Sequence, residues 1–217
     1  MKIENLTACY GDKKIINNLS IDFLDGQITC VLGSSGVGKT TLLKCVANLK
    51  EYDGFIEKQS VSYVFQEPRL VDGITVRENL KLVGIADRDI ELGLEKVNML
   101  DKIDVYPTKL SGGEKQRVNF LRAVLYPSSV VLMDEPFSSL DIKSKLSLIS
   151  DFIALWKDSK KTVIFVTHDI EETLMLAQRV VVLKDGKVSF DAQIDSAYPR
   201  EYYGDEKMRK LLLSALL

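Results

Sequence analysis

A chain of 217 residues has room for one large domain or two small ones, and 46% hydrophobic with 28% charged residues is the balance of an ordinary globular protein. A net charge of −2 and an isoelectric point near 5.6 give no electrostatic basis for nucleic acid as a partner. No apolar run approaches the ~18 residues of a membrane span, and Glu4 interrupts the stretch where a signal peptide would place its apolar segment, so neither a transmembrane segment nor export is expected.

Residues 2–10 and 14–23 have the pattern of strands around a turn at Gly11-Asp12. Residues 27–32 form a short apolar strand that runs straight into GSSGVGKT, and residues 41–49 follow as a helix. Further strands are predicted at 60–65, 130–133, 162–166 and 179–183. The last leads through Lys184-Asp185-Gly186, a hairpin signal, into 187–191. Helical periodicity fills 76–83, 88–100, 112–125, 142–157 and 170–177. Near the end, Met208, Leu211, Leu212, Ala215 and Leu216 recur at helical spacing, and packing on the core is the expectation for that segment. Cys9, Cys30 and Cys45 are odd in number and lack metal-ligand spacing, which predicts buried, reduced thiols suited to the cytoplasm.

Strands alternating with helices predict an α/β core with a mostly parallel sheet. The first strands follow one another without helices, which places a small antiparallel β layer beside that core. Only helices are evident between Glu67 and Pro127. The expected organisation is therefore one domain over 1–217 with a helical lobe, about 67–127, inserted in the α/β core.

GSSGVGKT (33–40) fits the G-x-x-x-x-G-K-[ST] loop of P-loop NTPases, with Gly33, Gly38, Lys39 and Thr40 at its defining places. Its glycines let backbone N–H groups approach phosphates, and the helix that opens near Lys39 adds its dipole. Ser34, Ser35, Gly36 and Thr41 complete the predicted cradle. Lys39 would hold the β- and γ-phosphates and the Thr40 hydroxyl would ligate Mg²⁺. In VVLMDEP (130–136) a buried strand ends in two carboxylates, costly to bury without a cation. Asp134 is the expected magnesium residue, and Glu135 the base for, or orienter of, an attacking water. His168, the single histidine, follows the 162–166 strand and should emerge at the same sheet edge, where ligands of open α/β sheets collect. Gln66 ends the 60–65 strand, within reach of Mg²⁺ or the water. Tyr10 could stack on adenine or pack in the core. LSGGEKQR (110–117) has the form of a second helix start open to an anion, with Ser111, Gly112 and Gly113 exposing N–H groups.

Taken together these motifs resemble the ATP-binding subunit of ABC transporters, over nearly the whole chain. Tyr10 matches the aromatic A-loop, residues 33–40 Walker A, Gln66 the Q-loop, residues 110–114 the family signature, residues 130–135 Walker B, residues 138–141 (Ser138, Ser139, Leu140, Asp141) the D-loop, and His168 the switch histidine. The resemblance implies an ATPase with Glu135, His168 and Gln66 in catalysis. It implies ATP bound through Tyr10 and the Walker A loop, and Mg²⁺ bound through Thr40, Gln66 and Asp134. It also implies a second copy of the chain facing head to tail, so that Ser111, Gly112 and Gly113 meet the partner's γ-phosphate. Glu114 stands where glutamine is commonest and Ser139 where alanine is frequent; the expected phosphate contacts fall on Ser111 and the glycines, so both departures are tolerable.

VFQEPRLVDGITVRENL (64–80) is similar to the nitrate, sulfonate, taurine and thiamine-precursor importers, although Val71-Asp72-Gly73 departs from that pattern. The expectation is an import ATPase at the cytoplasmic face of the membrane, beneath a separate permease that is itself met by a solute-binding protein. The stretch after Asp191 is short for the added regulatory domain of sugar-type importers. A separate-chain export or lipoprotein-release ATPase is the nearest alternative, followed by a soluble ATPase of the iron–sulfur assembly type. A repair ATPase would need sustained heptads between residues 38 and 111, which are absent, and a translation factor would need two such domains. A small-molecule kinase or GTPase leaves LSGGE unexplained.

Overall fold

The computed structural model describes residues 1–138, 140–195, 197–198 and 200–216; Ser139, assigned above to the D-loop, lies outside them. Lys2–Tyr10 (β1) and Lys13–Asp22 (β2) bury one set of side chains and expose another, and they pair antiparallel around Gly11-Asp12. Asp53–Ile56 (β4) pairs with the other edge of β1, which gives a three-stranded sheet in the order β2-β1-β4. The sequence pattern predicts no strand there, because Asp and Gly are depleted in strands; tertiary pairing with β1 overrides that preference.

The second sheet has six strands. Ile28–Leu32 (β3), Val61–Val64 (β5), Val130–Asp134 (β6), Thr162–Thr167 (β7), Arg179–Lys184 (β8) and Lys187–Gln193 (β9) lie in the order β5-β6-β7-β3-β8-β9. All neighbours are parallel except the β8–β9 hairpin. β3 and β7 are buried at every position, as expected of parallel strands covered on both faces. Alternate residues serve separate cores. Val31, Ile164 and Val166 face Leu6, Ile16 and Leu42 on the side of the antiparallel sheet. Cys30, Val163 and Phe165 face Phe120, Phe137 and Phe152 on the other.

Lys39–Val46 (α1) follows β3, and Asn48 in the left-handed region (φ 55°) ends the helical path before residue 49. Between β5 and β6 the described chain makes only helices: Val76–Lys81 (α2), Asp87–Lys96 (α3), two 3₁₀ turns at Leu100–Lys102 and Pro107–Lys109, and Gly112–Leu125 (α4). The predicted 88–100 helix stops at Lys96 because Asn98 also turns left-handed (φ 53°). Ile142–Ser159 (α5) and Ile170–Leu176 (α6) flank β7. Glu206–Leu216 (α7) packs through buried Leu212 with Met208, Ala215 and Leu216 beside it. Leu211 faces outward, against the predicted apolar stripe. Cys30 and Cys45 are buried free thiols, whereas Cys9 is only half-buried.

The two sheets are joined at Ile15 and Asn17. The Asn17 N–H donates to the Gly186 carbonyl (3.1 Å) in the β8–β9 turn. Gly186 has φ +71°, and a Cβ there would lie 2.5 Å from the Ile15 carbonyl oxygen, so the turn needs glycine for both conformation and approach.

Candidate functional site

The carboxyl ends of β3, β5, β6 and β7 open on one edge of the six-stranded sheet. From β3 the chain turns through GSSGVGKT into α1. Gly38 is the residue before the helix, with φ 114°, and a Cβ there would lie 3.1 Å from Ile15 Cγ2. No side chain caps α1 and its first turn has no acid, so its N–H groups are left to an external anion. Lys39 is 4% exposed and its ammonium folds back over the loop, donating to the carbonyls of Gly33 (2.8 Å) and Ser34 (3.0 Å). Its Nζ stands 3.8 Å from Glu135 Oε1. Burial lowers the Lys39 pKa, opposed by the Glu135 carboxylate.

Across the edge, Thr40 Oγ1 donates to Asp134 Oδ1 (2.8 Å), and Tyr63 OH donates to Asp134 Oδ2 (3.2 Å). Burial, reinforced by that carboxylate, pushes the Tyr63 hydroxyl well above its ordinary pKa. Glu135 adopts φ 45°, so a backbone turn rather than strand alternation directs its side chain. Both Asp134 and Glu135 border the same cleft. The Glu135 N–H donates to the Val166 carbonyl (3.0 Å), and its Oε2 lies 3.3 Å from His168 Nδ1. Gln66 is exposed and donates through Nε2 to Ser138 Oγ (3.1 Å), whose own proton goes to the Glu135 carbonyl (3.0 Å).

These groups surround a cleft of about 470 Å³ bordered by Tyr10, Ser35, Gly36, Gly38, Lys39, Thr40, Thr41, Gln66, Asp134 and Glu135. Tyr10 is 49% exposed at its rim, which removes the core-packing alternative, and the Lys50 ammonium lies 4.4 Å from its ring centre. His168 stands behind Glu135. Ser111, Gly112 and Gly113 are not part of the cleft border. Ser111 caps α4, accepting from the Glu114 N–H (3.3 Å) while Glu114 Oε2 accepts from the Ser111 N–H (2.8 Å). A Cβ at Gly112 or Gly113 would meet nothing within 4 Å, so nothing in this chain's own packing requires glycine there.

The family model for ABC transporters matches residues 16–138. The chain belongs to the ABC transporter family. It is 36% identical to the aliphatic sulfonates import ATP-binding protein of Mycobacterium sp. (strain MCS), over 99% of this chain and 92% of that protein. The corresponding protein of Paracoccus denitrificans is 34% identical over 99% and 92%. The carnitine transport ATP-binding protein of Listeria monocytogenes is 37% identical over 88% of this chain and 55% of its own length.

For an ABC protein the cleft has the expected chemistry: a buried ammonium and free helix N–H groups for phosphate, beside carboxylates and a hydroxyl. Thr40 Oγ1 and Asp134 Oδ1 are hard oxygens of the kind Mg²⁺ takes, so the residues present fit that ion. Among the described residues no three His, Cys, Asp or Glu side chains form a metal cage. Among the described residues no helix is long and apolar enough to cross a membrane. Tyr63 is the cleft-associated residue that motif reading misses. Its only sequence signal is its place on the strand that pairs with β6, where Tyr63 registers with Leu132, two residues before Asp134.

Proposed function

We propose that this chain is the ATP-hydrolysing subunit of an ABC importer, one nucleotide-binding domain that acts as a head-to-tail pair beneath a separate permease at the cytoplasmic face of the membrane. The observation that carries the reading is the chain of contacts from Lys39 to Glu135 (3.8 Å) and from Glu135 to His168 (3.3 Å), with Lys39 and Glu135 lining one cleft and the Ser111 helix start outside its border. The import and transport relatives support the direction of the work.

ATP enters with adenine against the exposed Tyr10 ring and its phosphates against Ser34, Ser35, Gly36 and the N–H groups of α1. Lys39 exchanges its carbonyl partners for phosphate oxygens. Thr40, Asp134 and Gln66 would hold Mg²⁺, which neutralises charge on the β- and γ-phosphate oxygens. Glu135 accepts a proton from the attacking water as its oxygen bonds to the γ-phosphorus. The bond from that phosphorus to the bridging oxygen breaks, giving ADP and phosphate. His168 holds Glu135 and the water in register. Ser111, Gly112 and Gly113 of one copy close over the γ-phosphate held by Lys39 of the other, so each site is built in halves. Arg69, Val71 and Ile74, just beyond Gln66, face the permease, which in turn receives a solute-binding protein.

Subunit mixing tests the composite site. Lys39→Ala cannot hold its own phosphates. Gly113→Asp sets a carboxylate against the partner's γ-phosphate, a repulsion of about 4 kcal/mol at 4 Å and an effective dielectric of 20. Each homodimer should be nearly inactive, whereas random pairing restores roughly a quarter of all sites in a twofold assembly. Phosphate release by the mixture, above either variant alone, is the expected result. A mixture no better than its components, with subunit exchange demonstrated, overturns the head-to-tail site.

A further inference from the structure

The residues on either side of His168 are fastened to a helix that motif reading leaves out of the chemistry. Lys145 lies on α5, one turn beyond Asp141, whose carboxylate caps that helix by accepting from the Ser144 N–H (3.0 Å). The Lys145 side chain is 13% exposed, and its Nζ is 2.7 Å from Asp169 Oδ2 and 2.6 Å from Glu172 Oε1. Glu172 is 2% exposed, and its second oxygen accepts from the Thr167 hydroxyl at 2.6 Å. Asp169 uses its other oxygen to accept from the Glu171 (2.8 Å) and Glu172 (3.3 Å) N–H groups, which sets the start of α6. Thr167 Oγ1 in turn accepts from the Asp169 N–H (3.1 Å). Both chain neighbours of His168 thus belong to one hydrogen-bonded cluster with Lys145 at its centre, while the histidine ring is 58% exposed and 3.3 Å from Glu135.

The charges agree with a clamp. Burial works to lower the Lys145 pKa, but the two carboxylates outweigh it and hold the ammonium above its ordinary value. Burial raises Glu172, against the pull of Lys145 and Thr167. A buried cluster of this kind has one good arrangement, because removing a member strands its partners in a poorly solvated site. It therefore fixes geometry more than it adds stability.

We propose that Lys145 is a positioning residue for ATP hydrolysis: by clamping Asp169 and Glu172 it sets the turn that presents His168 to Glu135, and it fixes that turn to α5. The inference rests on the role given to His168 above. It names no new contact with ATP, so its signature is the placement of His168 rather than the affinity of the cleft. A displacement of about 1 Å in a positioning group can cost on the order of 100-fold in rate, so an effect on kcat with little change in KM is the expected form.

The experiment uses the fact that the chain has one histidine. In protein labelled with ¹⁵N-histidine, the two ring nitrogens give one set of side-chain resonances, a signal that reports His168 without assignment to a residue. Lys145→Met should shift or broaden that signal and lower kcat by roughly 10- to 100-fold, with KM for ATP little changed. Lys145→Arg, which keeps the charge, should recover much of both. Lys157→Met, further along α5 and outside the cluster, should leave both unchanged. If Lys145→Met unfolds the chain, Glu172→Gln loosens the clamp and keeps an oxygen for Thr167, and it should move the signal and kcat in the same direction. An unmoved signal in a folded clamp variant overturns the proposal. So does a moved signal with wild-type kcat when His168→Ala is inactive. If His168→Ala itself turns over normally, the role of His168 fails first and the clamp loses its purpose.

Discussion

Replacing Glu135 by glutamine separates binding from chemistry. The substitution keeps the size of the side chain and its reach to His168 Nδ1, 3.3 Å away, but removes the charge and the ability to take a proton near neutral pH. Loss of a positioned general base costs about 10²–10⁴ in rate, or roughly 3–5 kcal/mol of barrier. Binding moves the other way. Glu135 Oε1 lies 3.8 Å from Lys39 Nζ, a gross attraction of about 4 kcal/mol at an effective dielectric of 20. In the free protein that attraction competes with phosphate for the ammonium, and in the complex the carboxylate repels the γ-phosphate. Glu135→Gln removes both penalties, so ATP affinity holds or rises while turnover collapses. Phosphate release under single-turnover conditions measures the first quantity and a fluorescent ATP analogue the second. Size-exclusion chromatography with ATP should show a stable dimer of the variant. Turnover within a few-fold of wild type, in a protein that melts normally, refutes the role of Glu135 as base.

Arg69→Glu should impair assembly with the permease, scored by co-purification, while the isolated subunit keeps most of its ATPase activity. The guanidinium stacks 3.8 Å from the Phe65 ring centre, and unchanged assembly with unchanged transport would count against that surface. Gly186→Ala should destabilise the fold by roughly 1–3 kcal/mol in urea melts, since it forces both a left-handed alanine and a 2.5 Å approach to the Ile15 carbonyl. For Asp169, burial acts to raise the carboxyl pKa, but Lys145 and the N–H groups of α6 outweigh it and hold it below its ordinary value. Its contribution is present above the unfolded value of about 4 and is lost as pH falls through the lower folded value. Urea melts between neutral and strongly acid pH should therefore show a shallower acid loss for Asp169→Asn than for wild type.

The parts legible in the sequence are those whose backbone is dictated locally. GSSGVGKT requires a strand before it, a helix after it and a left-handed glycine at its end, and β3, α1 and Gly38 supply these in contiguous residues. The 112–125 helix is also legible at both ends, because Ser111 and Glu114 form its capping box and Tyr126-Pro127 ends it. What stays hidden depends on partners distant in sequence. Asp53–Ile56 becomes a strand only because β1 offers an edge. Tyr63 reaches Asp134 only because β5 lies beside β6. The direction of Glu135 is set by a single positive φ at the end of β6, which no residue pattern in VVLMDEP announces. Lys145 carries no motif of its own, and its importance is visible only when Asp169 and Glu172 are folded against it.

The same long-range contacts bear on why a composite site would place its second anion-binding helix so far from the first in the chain. From the second turn of α4, Gln116 Nε2 donates to the carbonyl of Pro136 (2.8 Å), the residue after Glu135. One residue further along, the Arg117 guanidinium donates to Asp151 Oδ2 (2.7 Å) and Ser147 Oγ (2.8 Å) on α5. α5 carries Lys145, and Lys145 holds the His168 turn. The start of α4 is therefore braced against the Glu135 turn directly and against the His168 turn through α5. Buried and half-buried polar contacts of this kind are costly to leave unmet, so these parts shift together more readily than they separate. If Ser111 closes on a partner's phosphate, the strain of that closure reaches the closing copy's own Glu135 and His168 through two short routes. Subunit mixing with Gln116→Leu in place of Gly113→Asp separates the possibilities. A signature that only binds leaves active the one mixed-dimer site with an intact Lys39, whereas a signature braced to its own catalytic turn loses that site as well, because its Glu135 belongs to the Gln116→Leu copy.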